Sequence, residues 1–222
     1  VVGGEVGEAL GTVTALQHEG APEAVWRAVK EHYRPAGADD AIPSTREGGL
    51  LAVADKLDTV VGCFSVGLIP SGSKDPLALR RAGQGVVRIA WEQGWTVTMP
   101  ELYQAALGTT AAKATADPAE TRRALEGFFQ DRVAFQLESA GYAGAVRRSA
   151  LAAGWTDLVD LKARCEALSA FAEDPRFASL AQSAKRIGNI LKDEAPADAL
   201  DAAVLQAAEE VALAGRLAAI EA

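Results

Sequence analysis

The chain is 222 residues long, 49% hydrophobic and only 6% aromatic, with a formal net charge of −8. That length holds one large or two modest domains, the alanine-rich composition favours helix over sheet, and the acidity argues against indiscriminate polyanion binding. No apolar run approaches the roughly eighteen residues of a membrane span and no basic-then-apolar leader opens the chain, so a cytoplasmic protein without a membrane partner is expected.

In chain order, Val1 to Gly20 is glycine-rich, begins without methionine, and reads as the interior of a longer protein. Pro22 to Tyr33 has the pattern of a helix with proline at its start, and Pro35 to Thr45 that of a loop. From Leu50 the apolar positions Leu50, Val53, Ala54, Leu57, Val60, Val61 and Phe64 fall at three-four spacing, predicting one buried helix face. Gly67, Pro70, Gly72 and Pro76 then force a shaped loop. Asp75 as N-cap and Pro76 at the first helical position predict that the next helix starts at Pro76. On that helix Leu79, Ala82, Gly83, Val86, Ile89 and Ala90 share one face, while Arg81, Gln84 and Arg88 project opposite with Arg80 at the flank. Gly83 and Gly85 inside it cost roughly 1 kcal/mol each against alanine, which predicts close approach by another element.

Gly94 and Pro100 interrupt before a short helix from Glu101 to Leu107. The small, polar segment from Gly108 to Thr121 marks a domain boundary, placed at 115/116. Further helices are predicted over 120–140, 144–153, 157–172, 177–192 and 199–219. The fold class is all-α, in two domains, 1–115 and 116–222.

Two motifs that mimic chemistry fail on inspection. Gly67-Leu-Ile-Pro-Ser-Gly72-Ser-Lys74 has Ser73 before Lys74 and Asp75-Pro76 after it, whereas a phosphate-binding P-loop needs Gly-Lys-Ser/Thr following a strand. A metal phosphohydrolase needs converging histidines and aspartates, but the chain has two histidines and no His-Asp pair. Cys63 and Cys165, far apart in apolar-periodic segments, read as buried thiols rather than a disulfide or metal framework. No catalytic and no metal-ligating residue is therefore assigned.

Charge is distributed unevenly. Between Ala54 and Arg88 five basic residues face three acids, whereas from Asp193 onward seven acids meet one arginine. Lys74 adjoins the Arg81/Gln84/Arg88 stripe, and Lys185, Arg186, Asn189 and Lys192 form a second polar-basic face. Guanidinium forks suit phosphate oxygens, and a loop plus a helix face can follow a nucleic-acid backbone without reading its sequence.

The run ADKLDTVVGCFSVGLIPSGSKDPLALRRAGQGVVRI resembles the beta subunit of bacterial heterotetrameric glycyl-tRNA synthetase. EGAPEAVWRAVKEHYRPAGADDAIPST, FFQDRVAFQLESAGY and SLAQSAKRIGNILK extend the likeness over nearly the whole chain. The resemblance implies the end of an HD-like helical domain followed by a DALR-like anticodon-binding domain. It also implies a tRNA-gripping role: Lys74, Arg80, Arg81 and Arg88 as the RNA-facing edge of the first domain, and Arg132, Lys185, Arg186 and Asn189 on the anticodon side of the second. The implied partners are tRNA(Gly) and the alpha subunit, in an alpha2beta2 heterotetramer. The complete complex uses ATP and Mg2+ to attach glycine to tRNA, and this chain holds neither cofactor. Three positions depart from the pattern: His18-Glu19-Gly20-Ala21 stands for His-Asp-Gly-Glu, Leu77 for phenylalanine, and Ala184 for asparagine. An HD-type phosphohydrolase and a non-catalytic helical scaffold for proteins remain as alternatives.

Overall fold

The computed structural model describes residues 11–72, 75–190 and 205–221. All regular structure among them is helical. None of their helices is long and apolar enough to cross a membrane. The chain divides into two compact units, Val1–Glu173 and Asp174–Ala222.

In the first unit, residues 11–18 form a helix, α1, which the glycine count of that region hides; past Gly11 no glycine or proline recurs until Gly20, and Val13 is buried. Next come α2 (Glu23–Glu31), α3 (Arg46–Ser65), α4 (Leu79–Gln93) and α5 (Met99–Thr110). A 3-10 turn (Ala111–Lys113) leads to α6 (Pro118–Ser139), α7 (Gly144–Ala152) and α8 (Leu158–Ala172).

α3 is the central element, packed against α2, α4, α5 and α6. Thr45 caps its N-terminus by accepting from the Gly48 N–H at 3.1 Å. Its buried face is Ala52, Val53, Lys56, Leu57, Val60, Val61 and Phe64. Leu50 and Ala54 of the predicted stripe are exposed instead. Lys56, though charged, lies on that buried face: only 6% exposed, it donates from Nζ to the carbonyls of His32 (3.2 Å) and Tyr33 (3.0 Å), closing the C-terminal end of α2. Glu31 is buried for a related reason, its carboxylate accepting from the Ser44 N–H at 2.6 Å and from the Ser44 hydroxyl.

α4 begins at Leu79, three residues later than expected. Asp75 to Ala78 forms a turn closed by the Ala78 N–H on the Asp75 carbonyl, and Ala78 lies in the left-handed region at φ 54°, so the chain cannot run straight from Pro76 into a helix. Asp75 still caps that helix, its two carboxylate oxygens accepting from the Leu79 and Arg80 N–H groups at 2.8 Å each. Pro100 likewise starts α5 rather than ending a segment: it sits in the first turn, behind a capping box in which the Thr98 and Glu101 side chains satisfy each other's backbone N–H groups.

α6 lies along α4, α3 and α5. A Cβ on Gly83 would run into the Phe128 ring of α6, and one on Gly85 would come within 2.9 Å of Lys56 Cε. The two glycines are thus the close-approach points their cost predicted. Phe128 meets Phe64 edge-on at 5.1 Å, and Phe129 stacks on Tyr103 at 5.8 Å. The segment at the 115/116 boundary is tied to α3, the Thr115 and Ala116 N–H groups both donating to the Ser65 carbonyl. Beyond it, Val146, Ala150, Trp155, Leu158, Leu161 and Cys165 extend the same core, with Cys165 buried and Cys63 partly so.

The second unit contains α9 (Pro175–Ile190) and α10 (Ala208–Glu221). No residue of α9 is buried. α10 starts later than the 199–219 helix expected, with 205–207 outside it; positions 199–204 and 191–192 of the predicted helices lie outside the described residues.

Candidate nucleic-acid interface

The outward face of α4 carries Arg80, Arg81, Gln84 and Arg88 because its opposite face buries Leu79, Gly83, Val86, Ile89 and Ala90. The flat contact at Gly83 brings α6 alongside, and Phe128 delivers Arg132 one turn later to the same side. Pro35, Gly37 and Ala38 form the third wall. Between them lies a cleft of about 280 Å³ lined by Arg80, Arg81, Arg88 and Arg132, with Gln84, Gly85 and Phe135, and no carboxylate among the lining residues.

The four guanidiniums are not equivalent. Arg88 is committed to the fold: Nη1 donates to the carbonyls of Ala38 (2.8 Å) and Asp40 (2.7 Å), and Nε pairs with Glu92 at 2.6 Å. It fixes the loop that forms the third wall. Arg80 donates to the Gly72 carbonyl at 2.7 Å, tying the preceding loop to α4. Arg81 is exposed, with one long contact of 3.5 Å to the Ala36 carbonyl. Arg132 is half-buried, with its guanidinium 5.5 Å from the centre of the Phe128 ring. Burial lowers its pKa, as does Arg80 nearby, against the opposing pull of Asp131 and Asp75. Gln84 donates to Gln136 at 3.1 Å, while its own Oε1 has no partner among the described residues.

Arg132 thus lines the same cleft as the α4 arginines, although the sequence grouped it with Lys185, Arg186 and Asn189. Those three are exposed on α9, in the other unit. Lys74 lies outside the described residues. The lining residues that sequence reasoning missed are Phe135, 51% exposed, and the 35–38 loop. An exposed phenylalanine one turn from a buried helix stripe was the available signal for the first; the loop carried none, since Pro, Gly and Ala are ordinary loop residues.

Among the described residues no three His, Cys, Asp or Glu side chains converge. His32 donates from Nδ1 to the Val29 carbonyl at 2.7 Å, and His18 is exposed on α1.

The sequence profile of the family described as glycyl-tRNA synthetase beta subunit matches residues 5–152, about two thirds of the chain. The chain belongs to this family. Curated glycine–tRNA ligase beta subunits agree: that of Geobacter metallireducens is 41% identical over 192 residues, 86% of this chain and 28% of the relative. The Leptothrix cholodnii subunit is 41% identical over 207 residues (92% and 28%), and the Geobacter sulfurreducens subunit 42% over 198 (89% and 28%). The chain thus spans little more than a quarter of the length of the relatives it matches. These relatives are subunits of an aminoacyl-tRNA synthetase, and this chain corresponds to a partial region of one.

Proposed function

We propose that this chain is a tRNA-gripping part of a glycine–tRNA ligase beta subunit, supporting ATP-dependent attachment of glycine to tRNA(Gly) by an alpha-beta complex. One observation carries the reading: four arginines from two helices converge on one cleft without a carboxylate on its lining, in a protein whose net charge is −8. Such a local cationic face on an acidic protein binds a specific polyanion while repelling others. Arg81 and Arg132 are the phosphate-facing members, Arg80 assists, and Arg88 holds the wall.

Within this reading an HD-like part gives way to an anticodon-binding part at 115/116, inside the first compact unit. Lys185, Arg186 and Asn189 on α9 belong to the anticodon-side surface, and Lys74 is a further tRNA contact. ATP and Mg2+ act in the alpha subunit, in a cytoplasmic alpha2beta2 assembly. The exposed apolar loop residues Leu68, Ile69 and Leu77 support a protein contact, for which the alpha subunit is the partner this reading supplies.

Ultraviolet cross-linking of tRNA(Gly) to the chain, followed by peptide mapping, tests the reading. Cross-linked peptides spanning 80–88 and 132–135 are expected; cross-links confined elsewhere, or none, overturn it.

A further inference from the structure

We infer that the four-arginine cleft holds a single unpaired nucleotide, its phosphate on Arg81 and Arg132 and its base against Phe135 and the Pro35–Ala38 wall. The inference rests on the RNA reading above and goes further, because backbone tracking alone needs only a charged surface.

The cleft differs from such a surface in three ways. At about 280 Å³ it is a concave space at the small end of ligand cavities, roughly 300 Å³ and upward, which suits one nucleotide and excludes a helix. A duplex keeps its bases stacked inward and presents a convex row of phosphates, so only a nucleotide out of the stack enters a cavity of this size. Its walls are also mixed: four arginines together with Pro35, Gly85 and a half-exposed phenylalanine. Phosphate alone has no use for an aromatic wall, whereas every base offers a π-face to one.

The walls are held in place before any ligand arrives. Arg88 clamps the 38–40 backbone through two carbonyls, and Lys56 fills the space beneath Gly85. Arg132 rests on Phe128 and, among the described residues, donates no hydrogen bond, so its fork has donors available for phosphate oxygens. Burial disfavours the charge on this group, and an anion beside it restores what solvent no longer supplies.

The test uses the 222-residue chain with four probes followed by fluorescence anisotropy or competition: a single-stranded RNA hexamer, a blunt RNA duplex, a nucleoside 5′-monophosphate, and the matching nucleoside. The hexamer should outbind the duplex, and Phe135→Ala should weaken the hexamer about fivefold or more while leaving the duplex within about twofold. Competition by the monophosphate and not by the nucleoside would assign the site to free nucleotides as well as strands; hexamer binding without such competition assigns it to strands alone. Both results support the inference. Hexamer affinity unchanged by Phe135→Ala overturns it, and leaves the RNA-edge reading standing if Arg81→Ala still weakens tRNA. Monophosphate binding with no affinity for tRNA supports the cleft and overturns the RNA reading; binding of none of the probes overturns both. Phe135 is half-exposed, so the variant should melt with the wild type. As a measurement independent of any variant, a hexamer bearing 5-iodouridine should cross-link within 132–135, and cross-linking only outside the cleft overturns the inference.

Discussion

Lys56→Ala tests the packing that shapes the cleft, because Lys56 simultaneously closes α2, fills the space against Gly85 and lies on the inner face of the central helix. The side chain is 6% exposed and bonds two backbone carbonyls. Removing it deletes about three buried methylenes, each worth roughly 0.8 kcal/mol, and leaves those carbonyls without their charged donor, a further loss of about 1.5–3 kcal/mol. Relief of the ammonium's desolvation offsets part of this, so a net loss of about 2–4 kcal/mol is expected. Lys56→Met keeps the stem and should lose about 1–2 kcal/mol. Urea unfolding followed by tryptophan fluorescence reports the change, since Trp91, Trp95 and Trp155 are all in the first unit's core. The charge adds a pH signature. Burial lowers the Lys56 pKa below the ordinary 10.5, with Asp55 and then Asp40 pulling it back. Between its folded pKa and 10.5 the folded state binds fewer protons than the unfolded, so this group's contribution to stability rises with pH there; below the folded pKa the cost of burying the charge is fully present. The stability difference between wild type and Lys56→Met should therefore widen with pH in that alkaline window. A Lys56→Ala protein within about 0.5 kcal/mol of wild type would refute the reasoning.

Three further outcomes follow from the same contacts. Gly83→Ala gains helix propensity of about 1 kcal/mol but drives a methyl into the Phe128 ring, an overpacking cost of about 1–3 kcal/mol, so a lower urea midpoint is expected; a higher one would show that α6 yields freely. Asp75→Ala removes both capping acceptors of α4 and should cost about 1 kcal/mol, read in the same unfolding curves. Arg88→Ala should raise amide hydrogen exchange in residues 36–40 by releasing the two carbonyl clamps, with little change in α6; unchanged exchange there would remove Arg88 from its positioning role.

Most helix positions, α1 and the start of α4 excepted, were legible because their termini are written in local chemistry, and the glycines of α4 were legible because their cost demands a neighbour. What sequence could not supply was the partner's identity. Lys56 looks like a solvent residue until the carbonyls of His32 and Tyr33, more than twenty positions upstream, arrive to receive it. Leu50, a better hydrophobe on the predicted stripe, stays half-exposed while Lys56 is buried, an exchange that hydrophobic periodicity does not register. The start of α4 was misplaced because Asp-Pro also opens turns, and the left-handed Ala78 that decides between the two carries no glycine to announce it. In the cleft, the α4 arginines share one helix and could be grouped by spacing. Arg132 could not, since its place depends on how closely α6 approaches Gly83.

The central claim, that the face shared by α4 and α6 binds RNA backbone, is tested most directly by the salt dependence of tRNA(Gly) binding in wild type and in an Arg81→Ala/Arg132→Ala double variant of matched folding. If each arginine neutralises a phosphate, the double variant binds more weakly and its plot of log K against log salt is shallower by about 1.5–2. Unchanged affinity with an unchanged slope would contradict the account and leave those arginines to solvent.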